Sequence, residues 1–187
     1  MLEHIFIRLP TLETERLILR KLEYSDKSDI FEYAKNPEVA KYVLWEPHQE
    51  EIDTIAFLNI IYAAYNKNKA SSWGIQLKEN SKIIGTIGFA KWDKENKVGE
   101  IGYVLAQEYW GKGIITEAVK EILKFGFEQM ELTKITAHCI AENIGSEKVL
   151  LKAGFKFDGL FPKSETIKGK LVDIKWFSYL AKNFKVD

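Results

Sequence analysis

Residues 16 to 22, Arg-Leu-Ile-Leu-Arg-Lys-Leu, alternate apolar and charged side chains, the period of a half-buried strand. Leu17, Leu19 and Lys21 fall on one face and Ile18, Arg20 and Leu22 on the other, so both faces are partly apolar and the pattern leaves the register open. The period then lengthens. Ser25 or Asp26 is placed to cap a helix with Ile30, Phe31 and Ala34 as its apolar stripe, and Asn36-Pro37 ends it because the residue before a proline is pushed out of the helical region. A longer helix is predicted over about residues 49–66, with Ile52, Ile55, Ala56, Tyr62 and Ala63 as its buried face at three- and four-residue spacing.

Strand-like runs follow at Ser72 to Leu77, Lys82 to Trp92 and Val98 to Ala106. The polar turns between them, Glu79-Asn80-Ser81 and Asp93 to Asn96, are too short for the crossover that parallel strands need, which predicts an antiparallel meander. A helix is expected from about Gly113 to Gln129, burying Ile115, Ala118, Val119, Ile122 and Leu123. Thr133 to Ala141 is the next strand, Ser146 to Lys152 a short helix, and Phe155 to Phe161 with Leu171 to Leu180 a final pair of strands. The order is that of a mixed α/β (α+β) chain with an antiparallel start and a crossover in its second half. There is no fixed-period repeat and no Pro/Gly/Ser-rich linker, so a single domain over residues 1–187 is expected.

Composition narrows the function classes. Of 187 residues 46% are hydrophobic, enough for a sizeable core, and 27 basic side chains balance 27 acidic ones. That balance offers no general attraction to nucleic acid or anionic lipid. The single cysteine, Cys139, excludes an internal disulfide and a cysteine-based zinc site, and His4, His48 and His138 lack metal-ligand spacing, so no metal is expected. A reducing, cytoplasmic setting fits this cysteine usage. Ile55 to Tyr65, the longest mainly apolar stretch, is about half a bilayer span and contains Asn59, so it reads as a buried helix. Met1 to Glu13 carries Glu3 and Arg8 and no apolar run of leader length, so export is not expected.

The chemistry concentrates in residues 99–118, where a predicted strand runs through Glu108-Tyr-Trp-Gly-Lys-Gly113 into a helix. Free backbone N–H groups converge there at the positive end of a helix dipole, which suits a phosphate; glycines keep side chains out of its way, and Lys112 can add a charge-assisted contact. An ordinary strand-to-helix turn has the same appearance. No Gly-Lys-Ser/Thr triplet closes a Walker-type loop. A dinucleotide fingerprint is nearly matched by Gly111, Gly113 and Thr116 with Glu131 further on, but its third glycine is missing and an antiparallel meander precedes it.

These residues resemble the pyrophosphate loop of the GNAT acetyltransferases, whose pattern is Arg/Gln-x-x-Gly-x-Gly/Ala. Glu13-Thr-Glu-Arg-Leu-Ile-Leu-Arg20, Glu142-Asn-Ile-Gly-Ser146 and Val149-Leu-Leu-Lys-Ala-Gly-Phe155 agree in the same order, and the whole is similar to the branch of the ribosomal-protein N-acetyltransferases over about residues 11–182. The resemblance implies a GNAT-like mixed, mostly antiparallel twisted sheet of about seven strands with about four helices. It also implies acetyl-CoA as the acetyl donor, its pyrophosphate on the backbone of Trp110, Gly111, Lys112, Gly113 and Ile114, and its pantetheine arm paired with the backbone of Tyr103, Val104 and Leu105. Glu108 departs from the Arg/Gln pattern, a change that a main-chain site tolerates.

Acetyl transfer to nitrogen needs an uncharged amine, a polarised carbonyl and a proton for the departing thiolate. Glu100 shares a strand face with Val98, Gly102 and Val104, so desolvation is expected to raise its pKa from about 4.3 towards the ~6–7 of a general base, unless a nearby Lys or Arg pairs with it. In the resembled family an acidic residue on this strand often acts as the base through a water. Many members place a tyrosine proton donor four residues before the Gly-Phe pair; here that position is Leu150. In this branch Ser146 is the stabiliser or donor for the thiolate and Asn143 contacts the pantetheine; helix capping is an equal reading for Ser146 and the lesser one for Asn143.

Trp45, Trp73, Trp92, Trp110 and Trp176 read as core or groove-wall residues, and the resemblance implies for Trp45 an alternative place in the acceptor-site wall, touching substrate. His138 reads as structural and Lys163 to Lys170 as a solvated hairpin tip. The expected activity is direct acetyl transfer to a primary amine, on a protein N-terminus such as that of a ribosomal protein or on a small molecule, by a monomer or homodimer. A non-catalytic acyl-CoA sensor is the alternative that Leu150 favours, and a dinucleotide oxidoreductase is a third.

Overall fold

A computed structural model describes residues 4–185, so Met1 to Glu3, part of the stretch read above for a leader, lie outside it. Its strands are β1 (Leu12–Glu13), β2 (Leu17–Arg20), β3 (Ser72–Leu77), β4 (Ile83–Asp93), β5 (Val98–Leu105), β6 (Lys134–Ile140), β7 (Lys156–Ile167) and β8 (Lys170–Leu180). They form one eight-stranded sheet in the order β1-β2-β3-β4-β5-β6-β8-β7. The helices are α1 (Lys27–Ala34), α2 (Pro37–Ala40), α3 (Glu51–Asn66), α4 (Ile114–Glu128) and α5 (Ile144–Lys152). Every strand pair is antiparallel except β5 with β6, which α4 connects as a crossover.

The β5–β6 pairing positions the site. It covers only Val98–Lys134, Gly99–Ile135 and Glu100–Thr136, and beyond Glu100 the ladder ends although β5 runs on to Leu105 and β6 to Ile140. Two neighbouring strands therefore present unpaired backbone to the gap between them. Side chains alternate across it. Ile101, Leu105, Ile135, Ala137 and Cys139 join the main core with Ile115, Ala118, Val119 and Ile122 of α4, while Val104 packs on the opposite face with Leu22, Ile30 and Leu58.

Two assignments within the first half differ from expectation. In α3 the buried residues are Thr54, Leu58 and Tyr65, whereas Ile52, Ala56 and Ala63 are exposed. The helix is apolar on nearly every side, so periodicity does not select a face; packing against α1 does. At the start of α1, Asp26 does not cap through its side chain; its carboxylate accepts from the Glu23 N–H at 2.7 Å and from both terminal nitrogens of Arg20. Asn36 and Pro37, expected to stop α1, also open α2, with Asn36 Oδ1 accepting from the Glu38 N–H at 2.9 Å.

The last hairpin is longer than predicted. β7 continues through Glu165 to Ile167, and the turn is only Lys168-Gly169, both at positive φ, the geometry that matches strand twist in a two-residue hairpin. This tip stays exposed but is docked through one side chain. Lys168 Nζ donates to the Ala40 carbonyl at 2.7 Å and lies 3.6 Å from Glu46, joining the hairpin to the segment that carries Trp45.

Candidate active site

The turn entering α4 has the backbone that its sequence promised. Gly111 and Gly113 take φ of +74° and +76°, left-handed values that a side chain disfavours, and Gly113 is the residue before the first helical turn, with no side chain over the free N–H groups. Lys112 extends over the Tyr109 ring at 5.4 Å. Glu108 is exposed in the preceding turn of 3-10 helix. Trp110, 46% exposed, donates its indole N–H to the Leu105 carbonyl at 2.8 Å, so one backbone acceptor of the segment expected to meet pantetheine already has a partner.

Arg16 is a loop residue whose role the pattern missed. Its Nη1 donates to the Lys112 carbonyl at 3.0 Å and its Nε to Glu117 at 2.7 Å; Glu117, in the first turn of α4, also accepts from the Thr14 hydroxyl and the Arg16 backbone. The amino-terminal motif thus clamps a turn about a hundred residues away. No local period signals this, because it depends on the loop between β1 and β2 meeting the start of α4. Substituting Arg16→Ala is expected to raise the KM for acetyl-CoA by about tenfold, the equivalent of one lost charge-assisted contact, with kcat within about twofold. Steady-state kinetics with acetyl-CoA varied would show it, and an unchanged KM would remove Arg16 from loop positioning.

Asn143 and Ser146 stand at the start of α5, on the Tyr103 side of the gap. Asn143 is the cap of α5, its Oδ1 accepting from the Ser146 N–H at 3.0 Å. The Ser146 hydroxyl instead sits 2.7 Å from the Tyr103 Oη. Burial drives the Tyr103 phenol well above its ordinary value, the Ser146 hydrogen bond opposing only in part, so the hydroxyl stays protonated. Burial likewise pushes the neighbouring Cys139 thiol up to about 11, which leaves it an unionised and poor nucleophile. Leu150 is fully buried in the core. A tyrosine hydroxyl thus reaches this side from β5 and not from α5.

Glu100 occupies the other side and is 8% exposed. The expected upward pKa shift is not found. Desolvation pushes the carboxyl up, but His138 and Lys91 outweigh it and hold it below its usual range. Lys91 Nζ lies 2.9 Å from Oε2 and His138 Nδ1 3.4 Å from Oε1. Neither partner was visible from alternation along β5, because one comes from β4 and the other from β6. A carboxylate kept ionised attracts an ammonium better than it accepts a proton from one. Trp45 is half-buried beside the α1–α3 cluster, its ring 5.4 Å from that of His48, on the same side of the sheet as Val104. Among the described residues no group of three or more His, Cys, Asp or Glu side chains is placed to hold a metal ion, and no helix is long and apolar enough to cross a membrane.

Comparison with known proteins places this arrangement. The sequence profile described as an acetyltransferase (GNAT) domain matches residues 16–156. The uncharacterized N-acetyltransferase p20 of Bacillus licheniformis is 36% identical over 176 residues, covering 94% of this chain and 99% of its own. A ribosomal-protein-serine acetyltransferase of Escherichia coli is 28% identical over 100 residues, 54% of this chain and 56% of its own. The crystal structure of a GNAT-family acetyltransferase from Bacillus anthracis superposes with a TM-score of 0.83 at 30% identity, covering 92% of this chain and 99% of that one. The likeness holds in sequence as well as in shape, and the chain belongs to the GNAT acetyltransferase family.

Proposed function

We propose that the chain is one acetyltransferase domain that moves the acetyl group of acetyl-CoA directly to a primary amine in a ternary complex. The acceptor is a protein N-terminus, such as that of a ribosomal protein, in preference to a small amine. The observation that carries this reading is the division of labour across the β5–β6 gap. A protonated hydroxyl pair, Tyr103 and Ser146, lies on one face, and an ionised carboxylate, Glu100, on the other. The pyrophosphate meets the N–H groups of Trp110 to Ile114, and the arm pairs with β5 at Tyr103 and Val104, delivering the thioester to the gap. Glu100 draws in the acceptor's ammonium. The hydroxyl pair gives the thiolate its proton, so the absent tyrosine at position 150 is no obstacle to turnover. A covalent acyl-enzyme has no support from Cys139, whose thiol is kept protonated.

Thiol release from acetyl-CoA, measured with a panel of ribosomal-protein N-terminal peptides, lysine-bearing peptides and small amines, tests the reading. Release with the N-terminal peptides is expected. Tight CoA binding with no release for any acceptor favours the sensor, and saturable NAD binding that CoA does not displace favours the oxidoreductase.

A further inference from the structure

His138 sits where the strands part, two residues past the last β5–β6 pair, with its ring on the amine side of the sheet. Four elements converge on it. Glu100 of β5 faces Nδ1 at 3.4 Å, Glu165 of β7 faces Nε2 at 3.8 Å, and the Trp176 indole of β8 packs against the ring with centroids 4.7 Å apart. Lys91 of β4 reaches the cluster through the second oxygen of Glu100. The Nδ1 atom is buried and makes no aligned hydrogen bond, while the side chain as a whole is 28% exposed, so the ring has one inward and one outward edge.

Taking acetyl transfer to an amine as the premise, we propose that His138 is the catalytic residue that accepts the acceptor's proton, with Glu100 as its positioning residue. A carboxylate facing Nδ1 favours the tautomer with hydrogen on that nitrogen, which leaves the lone pair on Nε2. Glu165 is too far from Nε2 to hydrogen-bond with it, so the protein does not occupy that lone pair. The exposure of Glu165, with 36% of its side chain open, makes it the carboxylate that holds an ammonium next to Nε2. Glu100 is fixed from its other side by Lys91, so ring and carboxylate do not drift apart when the proton arrives. Imidazole is the side chain whose chemistry suits proton acceptance near neutrality.

The first proton breaks from the acceptor's ammonium, passes to Nε2 and from there to water. The freed nitrogen lone pair forms the N–C bond at the thioester carbonyl. Collapse of the adduct breaks the C–S bond; the thiolate takes a proton from Tyr103 on the opposite face, and the nitrogen's second proton restores that hydroxyl through Ser146 and solvent. An ammonium and an acetyl thioester thus become an amide, a thiol and one released proton.

The test uses the whole chain, acetyl-CoA and the N-terminal peptide panel, over pH 5.5 to 9.5. His138→Gln is expected to lower kcat by about 10²–10³-fold, the usual yield of a positioned base, with acetyl-CoA affinity unchanged. Its residual rate should rise with pH without a plateau, because solvent must then deprotonate the amine. Glu100→Gln keeps the shape beside Nδ1 but removes the charge that selects the tautomer, so kcat should fall by about tenfold or more and the hydrogen of neutral His138 should no longer be confined to Nδ1. If wild type turns over and His138→Gln keeps its rate and profile, the assignment of His138 is overturned while acetyl transfer stands. A wild type that binds acetyl-CoA and acetylates nothing overturns both. Imidazole nitrogen NMR on the wild type adds a readout independent of the variant's folding: neutral His138 should carry its hydrogen on Nδ1, and the opposite tautomer overturns the proposal.

Discussion

Replacing Tyr103 by Phe should lower kcat by about 10²-fold, within the range for loss of a general acid, and leave the KM for acetyl-CoA within about twofold. The ring would remain in place while its hydroxyl, the partner of Ser146, disappears, which separates proton donation from packing. Ser146→Ala should cost less, about tenfold, because Tyr103 keeps its proton without it. Two further readouts distinguish a proton donor from a structural tyrosine. The variant's rate should depend more steeply on the acidity of the leaving thiol, since that thiolate would depart unassisted. The wild-type rate should also show no decline through pH 10, because the phenol is raised above its ordinary 10.0 and remains protonated there. A Tyr103→Phe enzyme with full kcat, or a wild-type rate that falls through the ordinary phenol range, would return the donor role to solvent.

The second large effect concerns stability. Arg20 donates to both oxygens of Asp26 at 2.7 and 2.9 Å, to Gln76 on β3 at 2.8 Å and to the Lys21 carbonyl at 2.9 Å, so its planar fork ties the start of α1 to two strands. The side chains are 22% and 8% exposed. Removing one partner strands the other in a poorly solvated place, which costs about 3–5 kcal/mol for a fully buried pair; with Arg20 partly wetted, Arg20→Ala should lose about 2–4 kcal/mol. For a chain of this length each kcal/mol moves Tm by about 2–4 °C, so a drop of about 5–15 °C is expected. Arg20→Lys should recover less than half of it, because a point charge cannot make both carboxylate contacts and reach Gln76. A double-mutant cycle with Asp26→Ala would test the pairing. If Arg20→Ala and Asp26→Ala proved additive, the link would carry no coupling energy.

Within the site, the glycine turn was the part most legible in the sequence. Its geometry rests on backbone, and the residues that free the backbone, Gly111 and Gly113, lie two positions apart in the chain and adopt the left-handed angles their type allows. The meander of β3, β4 and β5 was equally legible, since alternation and short turns are local signals. By contrast, α3 buried a different face from the one its spacing suggested, and the charged stretch at residues 163–170 became strand and docked turn. In both cases the deciding partner lay elsewhere in the chain.

The same division separates what the sequence by itself determined from what tertiary structure alone decided. Element order, fold family and the glycine turn were written in neighbouring residues, because period and backbone freedom act over a few positions. The state of Glu100 was not. Alternation correctly put it on a strand face opposite Tyr103, yet its ionisation depends on Lys91 and His138 brought in from the strands on either side, and their attraction outweighs the desolvation that a single strand implies. Tyr103 and Ser146, forty-three positions apart, likewise become one hydrogen-bonded pair only when α5 closes over the gap left by β5 and β6. Electrostatic environment is a sum over spatial neighbours, and which neighbours those are is decided by how the strands are ordered in the sheet and where their pairing stops.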